Sequence, residues 1–146
     1  MKLPACLLAT ALLALPAAAQ TRVTHIQTEQ SGIATAVWAG DTLYLSGKLA
    51  KSYAGDTRAQ TTDIFKQFEA ALKEQGLAMG DVVQMRVYLV ADPAGKLDFA
   101  GMNDAYQEFF GTAAQPNKPA RVTVQVAALV VPKALVEIEL VAVRSK

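Results

Sequence analysis

The chain predicts an α+β domain: a six-stranded sheet carrying both of its helices on one face. Three observations support this. Residues 118–143 alternate apolar and polar side chains with a period of two. Residues 57–76 repeat apolar side chains at helical spacing. The elements follow in the order three strands, helix, strand, helix, two strands, a pattern that segregates helices to one side of a mixed sheet.

The C-terminal run, Lys118 to Val143, reads as two β-strands joined by a short turn, with Pro132 in the connection. A missing N–H does least harm there. In the first strand Val122, Val124, Val126 and Ala128 share a face, and Arg121, Thr123, Gln125 and Ala127 share the other. In the second, Val136, Ile138, Leu140 and Ala142 oppose Leu135, Glu137, Glu139 and Val141. Such alternation marks half-buried strands. The Val/Ile face is expected under the helices, so Arg121 is expected to leave on the opposite face and to contribute little to folding. That polar face has two readings: a solvated sheet surface with a weak ion pair, or an anion site. In the second, an arginine would bind a carboxylate bidentately and a glutamate would orient a water.

Upstream, Val23 to Thr28 is a first strand. Thr35 to Trp38 and Thr42 to Ser46 are two short strands turned at Ala39-Gly40-Asp41, a hairpin signal. Lys48 to Gly55 is a loop. Asp56 or Thr57 can cap the helix that follows, and Thr57 with Gln60 fits a capping box. Ile64, Phe65, Phe68, Ala71 and Leu72 form its apolar stripe, Glu69 and Lys73 an i,i+4 pair on its wet side, and Gly76 its stop. Val82 to Val90 alternates as a strand, with Val83, Met85, Val87 and Leu89 on one face, and Asp92-Pro93-Ala94-Gly95 breaks it. Asp98 caps a second helix with Met102, Ala105, Tyr106 and Phe109 inward, ended by Gly111.

Composition narrows the chemistry. The chain has 146 residues, 52% hydrophobic, with a net charge of +1. That is enough for one domain with a real core, and it provides no strong attraction to nucleic acid. Residues 1–19 read as a secretory signal: Lys2, the apolar run Leu7 to Leu15, then Ala17-Ala18-Ala19. The run is too short for a membrane span. Residues 20–146 are then the domain, exported to the periplasm or beyond, with no membrane span after cleavage. Cys6, the only cysteine, leaves with the signal, and His25 is the only histidine. Neither a His/Cys metal site nor a Ser-His-Asp triad can be assembled. What remains is carboxylates, arginine, hydroxyls and backbone N–H groups.

Several segments, in this order and spacing, resemble the RidA (YjgF-like, reactive intermediate deaminase) family. They are Leu45-Ser46-Gly47, Glu74-Gln75-Gly76-Leu77, Asp81-Val82-Val83, Asp98-Phe99, the run Asn103 to Phe110, Pro119-Ala120-Arg121, and Val136 to Glu139. The resemblance implies a chorismate-mutase-like fold and a homotrimer whose three sheets line a barrel, with clefts between subunits. It implies hydrolysis of reactive 2-imino or enamine acids to 2-keto acids and ammonia, with no metal or organic cofactor. The family's carboxylate-binding arginine falls on Arg121 and its water-positioning glutamate on Glu137. Ser46, Gly47 and Asn103 fall on residues that line its cleft, and Glu139 on a structural position. Three positions depart: Ile33 stands where the archetype has a cleft tyrosine, Lys48 where it has glutamine, and Thr123 where it often has cysteine. Two further functions stay open beside the deaminase. One is a non-catalytic module that binds small carboxylates or acts as a holdase. The other is an endoribonuclease, which the near-neutral charge disfavours.

Overall fold

The computed structural model describes residues 22–145; the expected signal segment lies outside them. The strands are β1 (Val23–Ile26), β2 (Ala36–Ala39), β3 (Thr42–Lys48), β4 (Val82–Leu89), β5 (Ala120–Gln125) and β6 (Val136–Val143), and the helices are α1 (Thr57–Glu74) and α2 (Phe99–Phe109). All six strands form one sheet in the order β1-β2-β3-β6-β4-β5. Every pairing is antiparallel except β4 with β5. The expected α+β architecture is the observed one.

The helices form because their apolar stripes can be buried together on one face of this sheet. Asp56 caps α1 by accepting from the Ala59 N–H at 2.9 Å, and Gly76, at φ +72°, closes its C-terminus in the left-handed region that suits glycine. Ile64, Phe65, Phe68 and Leu72 of α1 are fully buried, as is Met102 of α2. They meet Leu43, Met85, Val87, Val136, Ile138 and Leu140 from the central strands. Phe65 sits among three rings, 5.2 Å from Phe109, 5.6 Å from Phe110 and 6.4 Å from Tyr106 between centroids. Burying each such side chain stabilises the fold by roughly 1.5–3 kcal/mol.

Four expectations from sequence are corrected. The C-terminal strands are not hydrogen-bonded neighbours, because β4 lies between them. β4, α2 and β5 form a βαβ unit, whose helical crossover sets β5 parallel to β4 and leaves it at the sheet edge. The two faces of β5 are also reversed. Val122 and Val124 are 49% and 41% exposed, whereas Arg121 and Thr123 turn toward α2. In β4, a register shift between Val82 and Gln84 buries Val82 and leaves Val83 exposed. Finally, Gln60 makes no capping box. It is 1% exposed, accepting from the Leu135 N–H at 2.9 Å and donating to the Lys133 carbonyl at 3.2 Å. It ties α1 to the loop that enters β6.

Candidate active site

β5 and α2 together build one cluster. Asp98 caps α2 through the Gly101 N–H, which fixes the start of the helix. Phe99, Met102, Asn103 and Tyr106 then fall on one helical face at three- and four-residue spacing. Arg121 extends from β5 into that face. Its Nη2 donates to Asn103 Oδ1 at 3.1 Å, and Nη1 lies 4.0 Å from the Met102 sulfur. Its guanidinium carbon is 4.4 Å from the centre of the Tyr106 ring and 6.0 Å from that of Phe99. Tyr106 is stacked in turn on Phe110, at 5.0 Å and 19°. A cation held over an aromatic face in this way gains about 0.5–2 kcal/mol. The same contact restricts its rotation. Arg121 forms no ion pair among the described residues, so the charge is oriented without being neutralised. Two residues along the same face, Thr123 Oγ1 is buried without a hydrogen-bond partner. A buried hydroxyl of this kind is ordinarily satisfied by water or ligand.

A second cluster forms on the other face of the sheet, where β3 and β6 run side by side. The backbone of Gly47 lies against the Glu137 carboxylate so closely that a Cβ at position 47 would collide with Glu137 Oε1. Ser46 Oγ donates to the Ala34 carbonyl at 2.7 Å, which holds the segment carrying Ile33, itself 68% exposed. Beside Glu137, Glu139 accepts from Arg86 Nη1 at 2.6 Å and from the Tyr88 hydroxyl at 3.3 Å. An open hollow of about 330 Å³ adjoins Glu137, walled by Tyr88, Val126, Leu129 and Val130. Burial, and after it the negative charge of Glu139, raises the Glu137 pKa above the ordinary carboxyl value of 4.5. Lys48 sits behind this cluster, over the Phe68 ring at 5.6 Å, where burial lowers its pKa.

Of the residues singled out from sequence, Arg121, Asn103 and Thr123 stand together, and Ser46, Gly47 and Glu137 stand together, while Ile33 is carried on the neighbouring segment that Ser46 holds and is exposed. The two groups lie on opposite faces of the sheet. Tyr106, which the sequence pattern marks only as core, and Phe99 and Tyr88, which it leaves without a role, also belong to these clusters. The helical spacing of Phe99, Asn103 and Tyr106 was the signal available for the first cluster. Among the described residues no group of three His, Cys, Asp or Glu side chains could hold a metal ion, and no helix is long and apolar enough to cross a membrane.

A mixed six-stranded sheet in this order, with two helices on one face, is the YjgF-type, chorismate-mutase-like fold. The chain belongs to the family described as Endoribonuclease L-PSP, which it matches over residues 27–144. It is 37% identical over 114 residues to a RutC family protein of Pyrococcus horikoshii, covering 73% of this chain and 82% of that one. It is 36% identical over 115 residues to a 2-iminobutanoate/2-iminopropanoate deaminase of Dermatophagoides farinae, covering 74% and 82%. Among solved structures it resembles a YjgF family member from Neisseria meningitidis, with TM-score 0.69 and 30% identity over 87% of this chain and 98% of the other.

Proposed function

We propose that the protein hydrolyses reactive 2-imino and enamine acids to 2-keto acids and ammonia, in clefts formed between copies of the chain. The observation that carries this reading is the state of Arg121: a guanidinium fixed by Asn103 and Tyr106 with no carboxylate partner among the described residues. Such a group suits bidentate capture of a substrate carboxylate. The relative from Dermatophagoides farinae, named a deaminase, supports the same chemistry.

The reaction asks little more of the protein than positioning. Glu137, with its raised pKa, orients a water and takes its proton as the oxygen adds to the imine carbon. The C=N electron pair moves to nitrogen, which is protonated. The resulting carbinolamine then collapses: the C–N bond breaks, ammonia leaves, and the hydroxyl becomes the carbonyl. No covalent nucleophile, metal or organic cofactor takes part in this scheme.

Arg121 and Glu137 occupy opposite faces, so one substrate reaches both only if two copies contribute, Arg121 from one and Glu137 from the next. The sheet face away from the helices supports self-association. Tyr44, Val122 and Val124 are 51%, 49% and 41% exposed on it, and a closed ring of three would cover them. Light scattering on the exported form is expected to give a trimeric mass.

The deciding experiment is complementation. Imines generated in situ by an amino-acid oxidase are offered to Arg121→Ala, to Glu137→Gln, and to the two refolded together. Each alone is expected to be nearly inactive. The mixture is expected to recover about a quarter of the wild-type sites, as random assembly of a closed ring leaves that share intact. A mixture no better than its parts would refute the shared cleft. One observation favours binding without turnover: Ile33 places an exposed apolar group where the archetype has tyrosine. Wild-type protein that binds keto acids yet leaves imine hydrolysis at the buffer rate would establish that reading instead.

A further inference from the structure

A polar recess runs along α2 behind Arg121. It has a volume of about 350 Å³ and is lined by Asn103, Tyr106, Gln107, Phe110, Gly111 and Lys118. Asn103, Tyr106, Gln107 and Phe110 are successive residues of one helical face, so the recess follows the helix axis for about 10 Å. Arg121 stands at its Asn103 end, bonded to that side chain and stacked on Tyr106. Lys118 stands at its Gly111 end. The lysine stem lies directly over the Gly111 backbone, where a Cβ would strike Lys118 Cε. The glycine thus makes room for the stem and holds it against the helix end. Lys118 precedes β5, in the loop that Pro119 closes, so its side chain is not bound by the strand's alternation and lies at the Gly111 end while Arg121 lies at the Asn103 end.

The recess is electropositive by construction. No carboxylate lines it, and neither Lys118 nor Arg121 forms an ion pair among the described residues. Between the cations lie two side-chain amides and a phenol, groups that can donate to an oxyanion or accept from water.

We propose that this recess is a second anion subsite and that the substrates are dicarboxylic imino acids, those formed from acidic amino acids. Arg121 takes the α-carboxylate and Lys118 the distal one. A four- or five-carbon dicarboxylate has roughly 4–5 Å between its carboxyl carbons. With a charge-assisted contact of about 3 Å at each end it spans the gap. The assignment of reaction rests on the deaminase reading given above; the binding of a dicarboxylate does not.

The test therefore has two arms. In the first, glutarate and butyrate, both unreactive, are titrated calorimetrically into wild type, Lys118→Met and Arg121→Ala. Methionine keeps the stem over Gly111 and removes only the charge. Glutarate is expected to bind wild type about tenfold more tightly than butyrate. The advantage should shrink with added salt and vanish in Lys118→Met, whose butyrate affinity is unchanged. Equal affinities in wild type, or a preference that survives Lys118→Met, overturns the subsite. In the second arm, imines from glutamate and alanine are compared by kcat/KM. A preference for the glutamate imine that is lost in Lys118→Met supports the substrate class. Hydrolysis of both with no such preference overturns the class and leaves the deaminase intact. Glutarate binding through Lys118 without hydrolysis of either imine supports the subsite and removes the deaminase.

Discussion

Arg121 and Glu137 leave the sheet on opposite faces, and β4 shows why. Arg121 is level with Met85 and Glu137 with Tyr88. Met85 and Tyr88 are three residues apart on one strand, an odd number, so their side chains point to opposite sides. Met85 is buried under the helices, and Tyr88 bonds to Glu139 on the far face. On the proposed reading each face carries half of the hydrolytic apparatus: the carboxylate receptor Arg121 on one, the water-orienting Glu137 on the other. The sheet is both the support and the partition.

Replacing Arg121 tests the receptor half. Arg121→Ala removes a guanidinium that is stacked on Tyr106 as well as bonded to Asn103. The fold should lose about 1–2 kcal/mol, a fall in Tm of roughly 4–8 °C. A side chain on the solvent face would be expected to cost no more than roughly 1 kcal/mol. The loss in kcat/KM should be larger, thirty- to a thousand-fold, or about 2–4 kcal/mol. Arg121→Lys should restore part of the stability and little of the activity, because an ammonium lacks the planar fork. Calorimetry and steady-state kinetics on the same preparations check both.

The reversal of β5 shows what could be read from the sequence and what could not. Alternation in Arg121 to Gln125 established a strand with two unlike faces. It could not tell which face the helices cover, because an edge strand is covered only as far as α2 extends. There the covering residues are Asn103 and Tyr106, which suit a guanidinium better than a valine. The short connection before β6 suggested a hairpin. The strand-helix-strand order of β4, α2 and β5 was the stronger guide, since such a crossover joins parallel neighbours. Both helices, the Asp98 cap, the Gly76 stop and the inward stripe of β6 were legible because local periodicity and end residues determine them, whereas the start of α1 left Asp56 and Thr57 as alternatives and only the structure chooses Asp56. The meeting of Gly47 with Glu137, ninety positions away, depends on strand order and register and has no local signature.

That meeting gives a second expected outcome. Gly47 is not in the left-handed region, so alanine there strains no backbone; the conflict is purely one of space. Gly47→Ala should push the Glu137 carboxylate aside at a rotamer cost of about 0.5–1.5 kcal/mol. Misplacing a base by about 1 Å can cost up to a hundredfold in rate. We expect kcat to fall ten- to a hundredfold, with KM nearly constant because the carboxylate receptor is on the other face. A rise in KM with unchanged kcat would place Gly47 in substrate binding instead.

The pH dependence follows from Glu137. Burial and then Glu139 hold its pKa above 4.5, so the acid limb of kcat should lie above the ordinary carboxyl range. Glu139→Gln removes one of the two causes and should shift that limb to lower pH. The stability effect has the opposite sense to that of a salt-bridged carboxylate. A pKa raised on folding means the protonated form is favoured in the native state. The contribution is fully present below the unfolded pKa and is lost as pH rises through the folded one. Glu137→Gln, which mimics the protonated form, should therefore be no less stable than wild type at pH 7–8. Any advantage should disappear below about pH 4. Tm measured against pH for both proteins checks the sign.

Gln60 tests how the start of β6 is held. Its amide is almost wholly enclosed, and both ends of it are used: Oε1 accepts from the Leu135 N–H, and Nε2 donates to the Lys133 carbonyl. Those partners straddle the buried Ala134, immediately before β6 brings Glu137 into place, and Lys133 itself adopts φ +69°. A non-glycine residue persists in that region only when its surroundings enforce it. Gln60→Leu fills the same space but leaves the half-buried Leu135 N–H and the Lys133 carbonyl without their protein partner, at up to about 1–3 kcal/mol for each group that water does not reach. Gln60→Glu keeps an acceptor for Leu135 and loses the donor to Lys133, while adding a buried charge. We therefore expect both variants to lower the denaturant midpoint, and Gln60→Leu to lower kcat more than KM, because the released loop no longer fixes Glu137. Hydrogen exchange should show the Leu135 amide opening faster in Gln60→Leu while amides in the centre of α1 stay protected. Unchanged exchange at Leu135 would mean that the loop is held by its own turn and that Gln60 only fills space.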